Sequence, residues 1–284
     1  MCSQKVLVVT DSTAYIPEEA LAGLDVPVIP LWLIWGDERF QDGVDIDPPT
    51  FYRRLRKAKI FPSTSQPSAG EFERFFRGVS DGMDAIVGVF ISSKLSGTVP
   101  NAQASMMELP DLDVRVVDSY STSMGLGFMV LTAARAAAAG QPVDEVVAAA
   151  EAMRERVHVL FAVDTLEYLH RGGRIGGAKR LLGTALNIKP LLQLDEGCIE
   201  PLCQVRTRRR AVAQMLDTAE ERLGGKQMAE AAIINVDCPK EAHAVAEQVK
   251  GRFGLSTVFC TPVSPVIGAH AGPGTVGIGF YAAE

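Results

Sequence analysis

Hydroxyl-bearing residues crowd in front of one predicted helix, in the stretch STSQPSAGEFERFF that begins at Ser63. Ser68 and Glu71 fit the S-x-x-E capping box, in which the serine caps the first turn and the glutamate reaches back. The preceding Ser63, Thr64 and Ser65 remain, although a turn needs only one such residue. The surplus hydroxyls indicate a polar site for a ligand.

Three further loops carry the same residue types, and each follows a predicted strand. They are DST (11–13), SSKLSGT (92–98) and SYSTS (119–123). Ligands of parallel α/β sheets lie beyond the carboxyl ends of the strands, so these loops should gather at one edge of the sheet. Helix capping is one explanation of their composition. The other is an anion site of hydroxyls and helix N-terminal amides, suited to a carboxylate or a phosphate. Because no G-x-x-x-x-G-K-[ST] motif is present, a nucleoside triphosphate is not the expected ligand.

Two basic segments lie in the second half of an otherwise acidic chain. The first, TLEYLHRGGRIGGAKRLLGTALNIKP (165–190), belongs to a predicted helix-rich stretch that ends near Leu186. The second is VRTRRR (205–210). Such runs are either a solvated face or a docking surface for an acidic partner or phosphate. The cations concerned are Arg171, Arg174, Lys179, Arg180, Arg206, Arg208, Arg209 and Arg210.

A single histidine, His270, occurs in the glycine-rich stretch VIGAHAGPGTVGIGF (266–280). We expect it to sit in a loop between an apolar strand and a tight turn, where a structural and a functional role are both open. No second histidine or carboxylate stands at ligand spacing, so no metal site is predicted. No G-x-S-x-G motif is present, which argues against a hydrolase triad.

The elements that must position these residues follow from the apolar pattern. In the first half, apolar runs such as VLVVT (6–10), AIVGVFI (85–91) and VRVVD (114–118) alternate with helical segments, which predicts a parallel sheet covered on both faces. In the second half, IKPLLQLDEGCIEPLCQVRT (188–207) predicts a hairpin that turns at Glu196 and Gly197. We therefore expect an α/β fold with a parallel-sheet domain at 1–152 and a mixed-sheet domain at 153–284.

Composition limits the class of protein. The chain has 284 residues, of which 47% are hydrophobic and 22% charged, and a net charge of −6, which argues against a nucleic-acid coat. Its five cysteines are odd in number and show no C-x-x-C spacing, which is typical of reduced thiols in a cytoplasmic protein. No run is long enough for a signal peptide core or a membrane span.

Taken together, the motifs resemble those of the DegV family, in this order and nearly from end to end. The resemblance implies a three-layer α/β/α parallel-sheet domain followed by a mixed-sheet α/β domain, as in dihydroxyacetone kinase relatives. It also implies binding of a long-chain fatty acid, such as palmitate, without another cofactor. The motifs are VVTDST, STSQPS, SSKLSGT, VVDSYSTSMGLG, VDTLEYLHRGGRIGGAKRLLGTALNIKP, VRTRRR and VIGAHAGPG.

By the same resemblance, a separate ATP-using fatty acid kinase protein phosphorylates the acid that this protein presents, a step toward phospholipid. The chain itself would be a cytoplasmic lipid-binding subunit, a monomer or weak dimer, and not an enzyme. Carried over by motif, the carboxylate meets Thr64 and Ser96, with His270 and Arg206 or Arg171 nearby. Ser63, Ser65, Gly97 and Arg171 would surround them, and Arg174 and Arg209 would dock the kinase.

The sequence departs from the family pattern at two places. Ala271 replaces the threonine of the usual HTGPG, and Tyr15 and Ile16 replace the acid and leucine of the first loop. The Ala271 change removes one hydroxyl near the site, so the residues support lipid binding better than acyl transfer. A rival interpretation is a small-molecule kinase subunit that uses His270 covalently, although no nucleotide motif supports it. A DNA-binding regulator is disfavoured by the net charge and by the lack of a helix-turn-helix.

Overall fold

The computed structural model describes residues 4–183 and 188–284. Within these ranges the strands form three sheets. In chain order the strands are β1 Val6–Asp11, β2 Val28–Ile29, β3 Trp32–Trp35, β4 Glu38–Gln41, β5 Ser63–Ser65, β6 Ala85–Phe90, β7 Val114–Asp118, β8 His158–Ala162, β9 Lys189–Asp195, β10 Cys198–Val205, β11 Met228–Asn235, β12 Phe259–Pro262 and β13 Val276–Ala282.

The helices connect these strands. The basic segment that was predicted to be helix-rich forms one short α-helix and a 3-10 helix at Gly176–Leu181, while its residues 184–187 lie outside the described part of the chain. In chain order the α-helices are α1 Glu18–Leu21, α2 Pro48–Leu55, α3 Ala69–Val79, α4 Thr98–Ser105, α5 Ser123–Ala138, α6 Val143–Arg154, α7 Glu167–Arg171, α8 Arg208–Leu223, α9 Pro239–Phe253 and α10 Pro265–Ala271.

The first sheet is parallel, with strand order β2-β1-β6-β7. Its strands are apolar on both faces, because each face meets a layer of helices. Val9 and Phe90 pack with residues of α3 and α4, whereas Val8 and Val89 pack with residues of α5 and α6. This arrangement confirms the predicted parallel sheet with helices on both sides.

Helix α3 begins as its sequence predicts. The Ser68 hydroxyl accepts from the Glu71 amide at 3.3 Å, and a Glu71 carboxylate oxygen accepts from the Ser68 amide at 2.7 Å. Phe72 and Phe76 are fully buried, and their rings lie against Phe90 of β6. The cap therefore fixes where the helix begins, and the phenylalanine stripe attaches it to the parallel sheet.

The second large sheet is mixed, with strand order β10-β9-β8-β13-β11-β12. Strands β11 and β12 pair in parallel, and the other described neighbours pair antiparallel. Strands β9 and β10 form the predicted hairpin, and its two turn residues, Glu196 and Gly197, have φ of 47° and 78°. Two successive positive φ angles are typical of the type I′ turn that joins antiparallel strands.

Helix α5 lies between the two large sheets. It packs on β1 and β6 of the parallel sheet and on β8, β11 and β13 of the mixed sheet. Gly125 makes this close packing possible, since a Cβ atom there would lie 2.4 Å from Cγ2 of Val159. The other face of the mixed sheet is covered by α8 and α9. The strands of the parallel sheet end at Asp118 and those of the mixed sheet begin at His158, while the boundary at 152 stays a prediction.

The third sheet is small and was not predicted. Strands β4, β3 and β5 pair antiparallel, and Leu33 of β3 lies opposite Thr64 of β5. No apolar pattern marks this strand, because β5 consists of three hydroxyl residues. Thr64 is therefore held in a strand, where its side-chain direction is fixed by pairing.

The environment of His270 also differs from the expectation. The residue lies in the last turn of α10, and the prediction of a loop is wrong. Ser264 caps this helix through the Ile267 amide, Pro265 occupies the first turn, and Gly272, with φ of 79°, ends it. Proline at the first helical position is compatible with a helix, so the glycine-rich composition alone was misleading.

Candidate functional site

An internal cavity lies where the three sheets meet. Its empty space, including open solvent at the mouth, is about 850 Å³. Most of the wall is aliphatic or aromatic. The apolar lining comes from the end of β6, from β8, β9, β10 and β11, and from α10, with Ile91, Val159, Phe161, Leu194, Ile199, Ile234 and Val266 among its members.

Polar side chains interrupt this apolar wall on one side. Thr64 of β5 and His270 of α10 both line the cavity, and the Thr64 Oγ1 atom lies 2.7 Å from Nε2 of His270. These residues are 206 positions apart in the sequence. The contact joins the small sheet to the second half of the chain and places two groups that can hydrogen-bond a ligand side by side.

The imidazole of His270 is held neutral. Burial, together with the positive charge of Arg174, lowers the pKa of His270 to about 4. Its Nδ1 atom is buried and has no hydrogen-bond partner among residues 4–183 and 188–284. Gly172 packs against that atom so closely that a Cβ there would lie 2.0 Å from it. A neutral ring with Nε2 facing Thr64 can donate to the threonine and leave its hydroxyl proton for a ligand.

Arg174 supplies a positive charge to the same wall. It lies on the cavity, where Nε donates to the Leu95 carbonyl at 3.0 Å and Nη1 donates to the Gly172 carbonyl at 2.8 Å. No carboxylate of the described residues forms an ion pair with it. Arg174 is half-buried, and an anionic ligand would supply the counter-charge that this guanidinium lacks. The sequence interpretation assigned Arg174 to a partner surface, whereas the structure places it on the cavity.

Ser96 reaches the cavity from the loop after β6. Its Oγ atom lies 2.8 Å from the Oγ1 atom of Thr98, and its amide donates to the Ser92 carbonyl at 3.0 Å. Gly97 follows at the start of α4, where a Cβ would lie 2.8 Å from Nε2 of Gln66. Gln66 and Ser65 also line the cavity. The structure thus brings Thr64, Ser65, Ser96 and His270 together as the sequence suggested.

Several predicted site residues lie outside this arrangement. Ser63 is exposed. Arg171 is also exposed, pairs with Glu167 at 2.6 Å and stacks over Phe61. Arg206 and Arg209 are exposed and do not line the cavity. Of these arginines, only Arg174 lines the cavity among the described residues.

The first hydroxyl loop faces a different cavity. Asp11, Ser12 and Thr10 border a second space, together with Tyr15 and Asp42. Burial raises the pKa of the Asp11 carboxyl, and burial raises that of Asp42 to about 7. The expectation that the hydroxyl loops gather at one site thus holds for the segments around 64, 96 and 122, which line the first cavity.

Sequence reasoning missed part of the lining. Thr122 and Ser123, at the start of α5, line the cavity, as do Asn235 and Thr275. The hydroxyl run at 119–123 was a usable signal for the first two. Nothing in the sequence distinguished Arg174 from the neighbouring cations, because the difference arises from the direction of one side chain. Ala271, which replaces the usual threonine, also lies on the cavity wall and has no hydroxyl to offer.

Two further searches bear on the class of protein. Within 4–183 and 188–284 no group of three or more histidine, cysteine or acidic side chains has a geometry suited to a metal ion. In the same ranges no helix combines the length and apolarity needed to cross a membrane.

The fold and the cavity define an α/β protein with a parallel sheet, a mixed sheet and a mostly apolar cavity whose wall carries hydroxyls and one arginine. The protein-family model described as "Uncharacterised protein, DegV family" matches residues 5–283 of the chain. The chain belongs to the DegV family.

Its relatives match over nearly their whole length. A DegV domain-containing protein of Streptomyces coelicolor is 41% identical over 278 residues, covering 97% of this chain and 98% of that protein. A Thermus thermophilus DegV family protein, whose structure is described by its fatty acid binding, has a TM-score of 0.92 at 34% identity, with 99% of this chain and 100% of that chain covered. DegV of Bacillus subtilis, described as a fatty acid binding protein, has a TM-score of 0.90 at 31% identity, with coverage of 99% and 100%.

Proposed function

We propose that this protein binds a long-chain fatty acid in the first cavity, with the carboxylate against Thr64, Ser96, Arg174 and His270. The observation that carries the proposal is the guanidinium of Arg174, which lines a mostly apolar cavity without a carboxylate partner among the described residues. An elongated apolar molecule with one anionic end complements such a wall. The fatty-acid-binding relatives from Thermus thermophilus and Bacillus subtilis support the same ligand class.

The acyl tail and the carboxylate of the fatty acid contribute differently to the free energy of binding. Burying about 15 methylenes at ~0.8 kcal/mol each contributes about 12 kcal/mol before the entropic cost of association. Removing a carboxylate from water costs several kcal/mol unless it is hydrogen-bonded and paired. The tail therefore supplies affinity, while Arg174 and the hydroxyls make burial of the head group tolerable.

His270 orients the head-group site in this proposal. Its low pKa keeps the ring neutral at physiological pH, and an Nε2 proton donated to Thr64 directs the threonine hydroxyl toward the ligand. Arg174 then provides the only positive charge on the cavity wall among the described residues. We therefore expect Arg174 to bind the charge of the ligand and Thr64 to orient its head group.

The binding test compares palmitate with 1-hexadecanol, which has the same chain length without the charge. Displacement of a fluorescent fatty acid measures both affinities. In Arg174→Gln, palmitate affinity should fall by about 2 kcal/mol, roughly 30-fold, while hexadecanol affinity should change by less than about threefold. Arg171→Gln, in which an exposed arginine is changed, is the matched control and should bind as wild type. Equal losses for both ligands in Arg174→Gln, or none for either, would refute the assignment of the head group.

Beyond binding the fatty acid, the proposed role is to present it to a separate ATP-using kinase for acyl phosphate formation. Arg206 and Arg209 are exposed near the start of α8 and have no ion-pair partner among the described residues. Exposed cations of this kind steer an acidic partner at low salt. Arg174 and Arg209 were both predicted to dock the kinase. Arg174 lines the cavity, whereas Arg209 is exposed, so Arg209 is the better candidate for docking.

The presentation test uses acyl phosphate formation by the cognate kinase. The double variant Arg206→Glu/Arg209→Glu should retain palmitate affinity and slow phosphorylation at low ionic strength by about tenfold. Wild-type phosphorylation should also decline as salt is added. If the double variant matches wild type at every salt concentration, these arginines form only a solvated face. If palmitate itself fails to bind, the lipid-binding proposal fails first.

A further inference from the structure

The N-terminus of α5 contributes a second polar region to the cavity. Thr122 and Ser123 both line the cavity, although neither belongs to the group around Arg174. The Oγ1 atom of Thr122 and the Oγ atom of Ser123 are buried and have no hydrogen-bond partner among the described residues. Ser123 as a whole is 1% exposed. Two hydroxyls are thus left unsatisfied beside the space that the acyl chain would occupy.

The position of Ser123 is conformationally costly for a serine. Its φ is 51°, in the left-handed region that favours glycine, and its amide donates to the Thr13 carbonyl at 2.9 Å. A non-glycine residue in that region is strained, and such strain concentrates at ligand sites. Glycine would relieve the strain but would remove the hydroxyl.

The side chain at the N-cap of α5 also lacks a hydrogen-bond partner among the described residues. Thr122 is the N-cap residue of the 16-residue α5, and its side chain makes no capping hydrogen bond. The dipole of a helix N-terminus favours an oxygen with partial negative charge. An unsubstituted alkyl chain cannot hydrogen-bond these hydroxyls, so they would remain unsatisfied in its complex.

We propose that Thr122 and Ser123 form a subsite for an oxygen substituent on the acyl chain, so that the preferred ligand is an oxygenated fatty acid such as a hydroxy acid. This inference rests on the proposed function, since it assumes that a fatty acid occupies the cavity. The carboxylate goes to Arg174, the only lysine or arginine on the cavity wall within the described residues. The α5 subsite has hydroxyl donors and no cation among its own residues, which suits an uncharged oxygen.

The test compares stearate with 3-, 10- and 12-hydroxystearate, each measured by displacement of a fluorescent fatty acid. The subsite variants are Thr122→Val, which keeps the shape of the side chain, and Ser123→Gly, which tolerates positive φ. Thr132→Val is the control, because Thr132 lies on the same helix, bonds to the Phe128 carbonyl at 2.9 Å and does not line the cavity. Thermal unfolding of each variant confirms that it is folded.

In wild type, at least one hydroxystearate should bind about fivefold to tenfold more tightly than stearate, as expected for one satisfied buried hydrogen bond. Both subsite variants should lose that preference, with stearate binding at least as tightly as before, and Thr132→Val should keep it. If stearate binds but no hydroxystearate exceeds it, or if the preference persists in both variants, the inference is overturned while the proposed function stands. If wild type binds none of the four acids, the proposed function itself fails.

Discussion

Two hydroxyl-rich regions of this protein look alike in sequence and differ in structure. At the end of β1, Asp11 accepts from the Thr13 amide at 2.9 Å, from the Thr13 hydroxyl at 2.6 Å and from the Ile91 amide at 2.8 Å. The Ser12 hydroxyl donates to Asp42 and accepts from the Leu31 amide. These bonds connect neighbouring segments of the protein to one another.

The group around Thr64 lies instead on the wall of the first cavity. Thr64 contacts His270, and Ser96 contacts Thr98, but both also line space that a ligand can enter. We expect a surplus of hydroxyls to bind a ligand where protein partners leave some of their hydrogen-bonding capacity unused. The first region should therefore matter for stability and the second for ligand affinity.

The largest expected effect is on the first region. Asp11→Ala leaves the Thr13 and Ile91 amides buried without an acceptor, which should lower the free energy of unfolding by about 3 kcal/mol. The midpoint of urea unfolding measures this. Asp37→Ala, at an exposed position, should leave the midpoint nearly unchanged. A variant Asp11→Ala as stable as wild type would mean that this hydrogen-bonded loop does not hold the parallel sheet together.

The second effect is on the cavity group. Thr64→Val and Ser96→Ala should each weaken palmitate binding by about 1–2 kcal/mol, because a buried carboxylate oxygen loses a donor. Thr64→Ser keeps a hydroxyl and should bind within about threefold of wild type. Isothermal titration supplies the affinities. If Thr64→Val lowers stability and leaves palmitate affinity unchanged, Thr64 has a structural role like that of Asp11. The proposed difference between the two regions would then be wrong.

The smallest effect concerns pH. The pKa of His270 is lowered to about 4 by burial and Arg174, so between pH 6.5 and 4 the unfolded chain binds a proton that the folded chain does not. The stability contributed by the neutral ring is present above the unfolded pKa and is lost as the pH falls. Wild type should therefore lose on the order of 1–2 kcal/mol more than His270→Asn between pH 7 and pH 5.

Palmitate sharpens this pH test. A bound carboxylate raises the pKa of a neighbouring imidazole, so the difference between wild type and His270→Asn should shrink when palmitate is present. Urea unfolding at the two pH values, with and without palmitate, gives the four free energies needed. Identical pH slopes for both proteins would show that His270 is not a desolvated neutral base.

Much of the fold was predictable from sequence for a physical reason. The apolar runs of β1, β6 and β7 and the Glu196-Gly197 turn are local signals, because burial and positive φ select residue types directly. The capping box at Ser68 is equally local. The strand at 63–65 and the helix around His270 were missed, since short elements are held mainly by tertiary pairing and local composition carries little information about them.

The site was predictable only in part for a related reason. Thr64, Ser96 and His270 could be placed by motif, and the structure brings them together on one cavity. Among many arginines, however, only the position of the side chain distinguishes Arg174, whose guanidinium bonds the carbonyls of Leu95 and Gly172. Selection among like residues depends on long-range packing, and a single sequence does not encode it in any short pattern.

In the proposed function, the first cavity holds a fatty acid without covalent attachment. Mass spectrometry of the purified protein under native conditions, repeated after denaturation, tests it most directly. We expect one fatty acid per chain in the native spectrum, released on denaturation, and much lower occupancy in the double variant Thr64→Val/Arg174→Gln. A lipid-free native protein that binds no added palmitate, or an adduct that stays on His270 after denaturation, would contradict it.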